Sequence, residues 1–301
     1  MIFHTAGIEV APWIPPLVAF AISFFTSMGG ISGAFLLLPF QMTCLGYTNP
    51  SVSATNQLFN VVAIPSGVYR YVREGRMVWP LTWIVVAGTL PGVFAGALIR
   101  VAWLPDPGHF KLFAAGVLFY IGIKLVRDLL TQKAANGLRP GHARPSADSR
   151  QAVLVNGFNW KRITYTFGGE SFHASSPGIF TLSLVVGIVG GVYGIGGGSI
   201  IAPFLITVFG LPVHTVAGAA LMGTFVTSVA GVLFYQLIAP FYPHMAVAPD
   251  WLLGLLFGIG GMAGMYMGAR CQRFVPARLI KWMLAAIIGF TAIKYVAGFF
   301  S

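Results

Sequence analysis

With 56% of its 301 residues hydrophobic and only 8% charged, and with a mean hydropathy of +0.81, the chain is far from a soluble domain, where about 25% of residues are charged. It reads as an integral membrane protein built of helices, since its apolar runs are about 20 residues long and the ~10-residue alternation of a membrane barrel is absent. The net charge of +11 does not mark a nucleic-acid binder, because the cations lie between apolar segments and no aromatic–basic surface interleaves them.

In chain order, residues 1–12 carry no Lys or Arg and include Glu9, so no signal peptide is expected. Two short apolar runs follow, about 14–28 and 32–45, joined by Gly30-Ile31-Ser32-Gly33. Longer runs follow at about 50–72, 79–102 and 110–130, each able to cross a bilayer. The polar stretch 131–177, rich in Gly, Pro and Ser, reads as a tether between halves, with a short strand expected at 162–167. Then the pattern repeats. Short runs at about 179–192 and 197–210 flank Gly194-Ile195-Gly196-Gly197-Gly198-Ser199, and long runs follow at about 213–238, 250–270 and 278–299. Trp79, Trp103, Trp251 and Trp282 sit near run ends, as an aromatic belt requires.

The halves are copies. Gly30, Ile31, Gly33, Pro39, Phe40, Thr43, Gly46, Val62, Gly67 and Tyr71 recur, without a gap, at Gly194, Ile195, Gly197, Pro203, Phe204, Thr207, Gly210, Val226, Gly231 and Tyr235. The short runs, ~20 Å at 1.5 Å per residue, do not span a ~30 Å core. Each pair is therefore read, on length, as a hairpin that dips into the membrane and returns, while two short spans out and back would give the same orientation. That arrangement leaves only Arg100, Lys111 and Lys294 of the 18 Lys and Arg outside the cytoplasm, in keeping with the positive-inside bias. It also gives each half an odd number of crossings. The expected fold is an all-α polytopic membrane protein of two inverted repeats, each a glycine-broken short-helix hairpin plus three transmembrane helices. Its units are 1–130, a cytoplasmic linker at 131–177, and 178–301, with both termini periplasmic or extracellular. Arg100, Lys111 and Lys124, with their repeat mates Arg270, Lys281 and Lys294, are expected as interfacial anchors. Cys44 and Cys271 are expected as small buried residues.

A glycine break inside an apolar segment, present in both halves, points to the substrate site of a secondary transporter. Glycines permit the turn and a close backbone approach. The helices leaving the breaks, near Ser32 and Gly197, present free N–H groups and a positive dipole end, a ready site for an anion. The substrate-binding candidates are Gly30, Ser32, Gly33, Gly194, Gly196, Gly197, Gly198 and Ser199, with Asn56, Gln57, Asn60 and Thr224 on the following segments. Asn56 and Asn60 share a helical face with Ser53; cavity lining and interhelical hydrogen bonding both stay open for them. Pro39 and Pro203 are candidate kinks or gates, freeing the carbonyls of Phe35 and Ser199. By contrast, Gly88, Gly92, Gly96 and Gly260, Gly264, Gly268 are spaced as packing ridges. No carboxylate lies centrally in any run, which suits an anion and disfavours a metal ion, sodium or a carboxylate proton relay. His214 is left as a peripheral relay candidate or a helix-start residue. No metal motif, nucleophile elbow or carboxylate pair calls for an enzyme, a metal or a cofactor.

The Gly194–Ser199 motif followed by Pro203, with its degenerate copy ending at Pro39, resembles the sulfite exporter TauE/SafE family of bacterial membrane permeases. The first copy departs from the motif, with Ser32 and Ala34 where Gly196 and Gly198 stand. The resemblance implies a permease of the bacterial cytoplasmic (inner) membrane that moves sulfite, sulfonates or related sulfur-containing anions. The partners expected are a small anionic substrate and the lipid bilayer, with no nucleic acid. A homodimer is compatible with the class, and no interface is assignable from sequence. The competing readings are an anion channel and, from other classes, a membrane-embedded enzyme or a sensor.

Overall fold

The computed structural model describes residues 1–29, 32–75, 77–135, 154–159, 161–167, 169–271 and 277–300. A small hairpin, β1 (Ile2–Phe3) and β2 (Ile8–Glu9), precedes α1 (Ile14–Gly29) and α2 (Ala34–Thr43). Next come α3 (Ser51–Ala63), α4 (Pro65–Arg73), α5 (Trp79–Ala102) and α6 (Pro107–Ala135). A three-stranded antiparallel sheet, β3 (Leu154–Phe158), β4 (Arg162–Phe167) and β5 (Glu170–Ser175), leads into α7 (Ser176–Tyr193) and α8 (Gly198–Thr207). The chain ends with α9 (Val213–Ile238), a 3-10 turn (Ala239–Phe241), α10 (Trp251–Cys271) and α11 (Ala277–Phe300).

Among the described residues, six helices are long and apolar enough to cross a membrane: Trp79–Ala102, Pro107–Arg127, Ser176–Tyr193, Thr215–Phe241, Trp251–Cys271 and Leu279–Phe300. Two expectations are corrected. The run at 50–72 is not one span, because Pro65 lacks an N–H and ends α3 at Ala63. The run at 179–192 is longer than expected: Pro177 at the helix start and a Ser175 hydroxyl accepting from Gly178 N–H begin α7 at Ser176, giving 18 residues or ~27 Å. The strand expected at 162–167 is β4. Tyr165 on that strand is buried, and its hydroxyl meets Thr215 Oγ1 at 2.8 Å, tying the sheet to α9. Of the tether expected at 131–177, the stretch 136–153 lies outside the described residues, while 131–135 continue α6 and the three strands of the sheet lie within 154–175.

Packing repeats along with the sequence. The helix α5 lies on α7 and α10 on α1; α10 lies on α3 and α5 on α9; α6 and α11 pack on each other. Glycine ridges set the two closest crossings. A Cβ at Gly88, Gly92 or Gly96 would meet the carbonyls of Phe180, Leu184 and Ile188, and one at Gly260, Gly264 or Gly268 those of Pro16, Phe20 and Phe24. The register relating Gly30 to Gly194 also relates Pro16, Phe20 and Phe24 to Phe180, Leu184 and Ile188. Small residues here let backbones touch where lipid offers no hydrophobic drive for helices to associate. The turns after the short helices are copies too. Tyr47 N–H donates to Gln41 O (3.0 Å) and Leu211 N–H to Leu205 O (3.2 Å), with Gly46 and Gly210 at φ 69° and 65°.

Cys44 is exposed and Cys271 half-buried, against the expectation of two buried cysteines. Arg100 is not an interfacial anchor, because it is wholly buried; nor is Arg270, exposed over the ring of Tyr266, its counterpart, since the ridge contacts pair Gly96 with Gly268 and so set position 272 against Arg100.

Candidate functional site

The second glycine break is shaped by contacts no side chain would permit. Gly194 ends α7 in the left-handed region (φ 84°), its N–H and that of Ile195 both donating to Gly190 O at 2.9 and 3.0 Å. A Cβ on Gly194 would lie 2.6 Å from Ser53 Cα on α3. Gly196 turns back at φ 72°, and Gly197 and Gly198 start α8 against Thr89 of α5 and the backbone of α9. The break is therefore wedged between α3, α5 and α9. The N-caps of α2 and α8, Gly33 and Gly197, carry no side-chain cap; in α2 the first N–H groups are taken within the break, Phe35 N–H by Ser32 O at 3.3 Å, whereas those of Gly198 and Ser199 at the start of α8 stay open to another acceptor among the described residues. Gly30 lies outside the described residues. Ser32 is half-buried, and its hydroxyl accepts from Ala34 N–H at 3.4 Å.

The polar face of α3 holds this break by its carbonyls. Ser53 Oγ donates to Val192 O at 3.0 Å, Asn56 Nδ2 to Gly194 O at 3.1 Å, and Asn60 Nδ2 to Ile195 O at 3.0 Å. Asn56 Nδ2 also donates to Ala34 O, the first residue of α2, at 3.1 Å, while Gln41 Nε2 donates to Asn56 Oδ1 at 3.4 Å. One buried amide thus joins both breaks. Of the two readings open for Asn56, interhelical hydrogen bonding is the one observed. Pro39 frees the carbonyl of Phe35, which accepts from Tyr193 OH at 2.9 Å. That is a second bond between the first half-helix and the second break. Ser199 Oγ donates to Ile195 O (3.1 Å) and lies 3.2 Å from Thr224 Oγ1, which donates to Ala220 O (2.9 Å). Pro203 lies inside α8 as Pro39 lies inside α2.

Among the described residues, several buried polar atoms around the breaks find no partner: Gln57 Oε1 and Nε2, Asn60 Oδ1, Gln41 Oε1, Ser23 Oγ and Ser228 Oγ. Such atoms are rare and costly, about 1–3 kcal/mol each. Two line the breaks from helices that are not repeat mates, Ser23 on α1 and Ser228 on α9. Ser23 Oγ is 2.8 Å from where a Cβ on Gly33 would be, and Ser228 Oγ is 2.8 Å from where one on Gly196 would be. Each break therefore has one orphan hydroxyl turned to its glycine. Gln57 lies against Gly231, whose missing side chain makes room for the amide.

This site holds hydroxyls, amides and backbone N–H groups and no carboxylate, a composition able to bind an anion without formal charge. Among the described residues no group of three His, Cys, Asp or Glu could hold a metal ion. Sequence reasoning missed Ser23 and Gln41, which no motif marks, and set Arg100 aside as an anchor. Ser228 was visible only as a small residue below Thr224. The His214 side chain lies outside the described residues.

Among the described residues, six helices long and apolar enough to cross a membrane, packed around paired glycine breaks, define a multi-pass membrane protein. The family described as Sulfite exporter TauE/SafE matches residues 16–295, and the chain belongs to that family. Its relatives include the probable membrane transporter protein YunE of Bacillus subtilis (strain 168), 23% identical over 87% of this chain and 89% of that protein. A probable membrane transporter protein of Xylella fastidiosa (strain 9a5c) is 24% identical over 84% of this chain and 80% of that protein. The probable membrane transporter protein YdhB of Bacillus subtilis is 28% identical over 38% of this chain, which spans 44% of YdhB's length. No solved structure matches the chain.

Proposed function

We propose that this chain moves small sulfur-containing anions, such as sulfite or organosulfonates, across the bacterial cytoplasmic membrane by alternating access. The observation that carries the reading is the meeting of the two breaks at Asn56, each break backed by an orphan serine hydroxyl. Substrate would be held by Ser23, Ser228, Gln57 and the open N–H groups of α8. The orphan acceptors Asn60 Oδ1 and Gln41 Oε1 suit an oxyanion that carries a proton. The halves are read as inserted in opposite senses, with the linker cytoplasmic. Rocking of one half against the other would exchange the bonds that Asn56 and Tyr193 make across the breaks, with Pro39 and Pro203 as points of flexion. The family description supports the sulfur-anion class.

Reconstituted liposomes test this with sulfite, an alkanesulfonate and sulfate. Saturable flux is expected, reduced at least tenfold in Ser23→Ala and Ser228→Ala. Removing a hydroxyl that bonds to nothing costs little stability, so the unfolding temperature should hold. Absence of flux for every anion would overturn the proposal, and flux that never saturates would favour a channel instead.

A further inference from the structure

Arg100 closes the last turn of α5, and its side chain is wholly buried. One terminal nitrogen donates to Leu104 O and the other lies 3.5 Å from Thr48 O, while Nε has no partner among the described residues. The ring of Phe110 covers the guanidinium carbon at 3.7 Å. Among the described residues no carboxylate lies within ion-pair distance of it. Asp250, the buried carboxylate near Tyr47, is already engaged by the N–H groups of Ala6 (3.2 Å) and Leu253 (3.0 Å), where it caps α10.

A guanidinium taken out of water without a counter-ion is costly. Carbonyls satisfy part of its fork and leave Nε–H free, with one N–H on each terminal nitrogen. The ridge contacts pair Gly96 with Gly268, which sets position 272, outside the described residues, against Arg100, so the exposed Arg270 is not its counterpart. The buried guanidinium is also wired to the second break. Tyr235, close enough to Arg100 to interact with it electrostatically, donates through its hydroxyl to Gly191 O at 3.2 Å. On the same wall Ser53 bonds Val192 O, one residue further along the break.

We infer that Arg100 is a second anion-binding site, a staging post where an oxyanion pairs with the free edge of the guanidinium beside Tyr47 and Tyr235 before or after occupying the glycine breaks. A planar oxyanion face matches the guanidinium fork better than a halide does. The proposal takes its class of anion from the transport reading, but the site is testable by binding alone.

The full-length protein in detergent would be unfolded thermally in sulfite, sulfate and chloride at matched ionic strength. Sulfite or sulfate should raise the unfolding temperature saturably and chloride should not. Arg100→Gln should weaken the apparent affinity at least tenfold, and Arg100→Lys, which keeps the charge but loses the fork, by less. Should either variant fail to fold, phenylglyoxal modification of the wild-type protein gives the second readout. Oxyanion should slow modification of Arg100 while the exposed Arg70 reacts at an unchanged rate. An unchanged half-saturation in Arg100→Gln, no oxyanion shift in the wild type, or no protection of Arg100 would overturn the site. Saturable liposome flux with any of those results would leave the transport reading standing. A protected, anion-stabilised Arg100 without flux would do the reverse.

Discussion

At the scale of single residues, the breaks are held by amides that do opposite things. Asn56 uses both N–H groups, so Asn56→Leu strands the carbonyls of Ala34 and Gly194 in a buried place. Each should cost about 1–3 kcal/mol, seen as a fall in unfolding temperature together with lost flux. Its neighbour Gln57 is equally buried and bonds to nothing. Gln57→Met keeps the volume and removes an unpaired amide, so stability should hold or rise by up to about 2 kcal/mol. Flux should nevertheless fall. Unchanged flux in a well-folded Gln57→Met protein would remove this residue from the substrate path.

At the scale of elements, backbone proximity decides more than side-chain chemistry. Gly92→Ala would bring a Cβ within 2.8 Å of Ile188 N, and Gly264→Ala one within 2.9 Å of Phe20 Cα. Helices must part in each case, and overpacking of this kind costs about 1–3 kcal/mol. Because the two crossings are copies, the two variants should lose similar stability in detergent unfolding; a large loss in one alone would mean that the copies are not energetically equivalent. A different element shows pH dependence. Asp106 precedes α6, and the His109 backbone N–H donates to its carboxylate at 3.0 Å, holding its carboxyl below the usual range. A group with a depressed folded value stabilises above its ordinary value of about 3.9 and loses that contribution as pH falls through the folded one. Amide exchange at residues 108–110 should therefore show loosened protection, beyond the intrinsic pH effect, only in acid.

At the scale of the whole molecule, the question is orientation. After replacement of Cys44 and Cys271 by serine, a cysteine at His109 should react with a membrane-impermeant maleimide on intact cells. One at Glu170, on the exposed face of the sheet, should react only after the cells are opened. Both native side chains are exposed, so silence reports sidedness rather than burial. Labelling of Glu170→Cys on intact cells would reverse the expected topology. The sheet is fastened to the second half: β5 runs directly into α7, and Tyr165 docks on α9. Any rocking of the second half would carry the sheet with it.

Glycine clusters, internal prolines and the spacing of the Gly88 and Gly260 ridges are local statements about backbone, and a duplicated chain makes them twice. For that reason the membrane class, the breaks, the packing ridges and the strand at 162–167 were legible from the residues alone. Hydropathy was a poorer guide to helix ends, because it does not register the missing N–H of Pro65 or the start that Pro177 permits. What the tertiary structure decided was partnership. That Asn56 bonds both breaks, that Ser23 and Ser228 each stand orphaned at a glycine of a break, and that Arg100 is buried all depend on contacts between residues far apart in the chain. Periodicity assigns a side chain to a helical face; only the packed neighbours determine whether that face meets a carbonyl, a lipid or nothing at all.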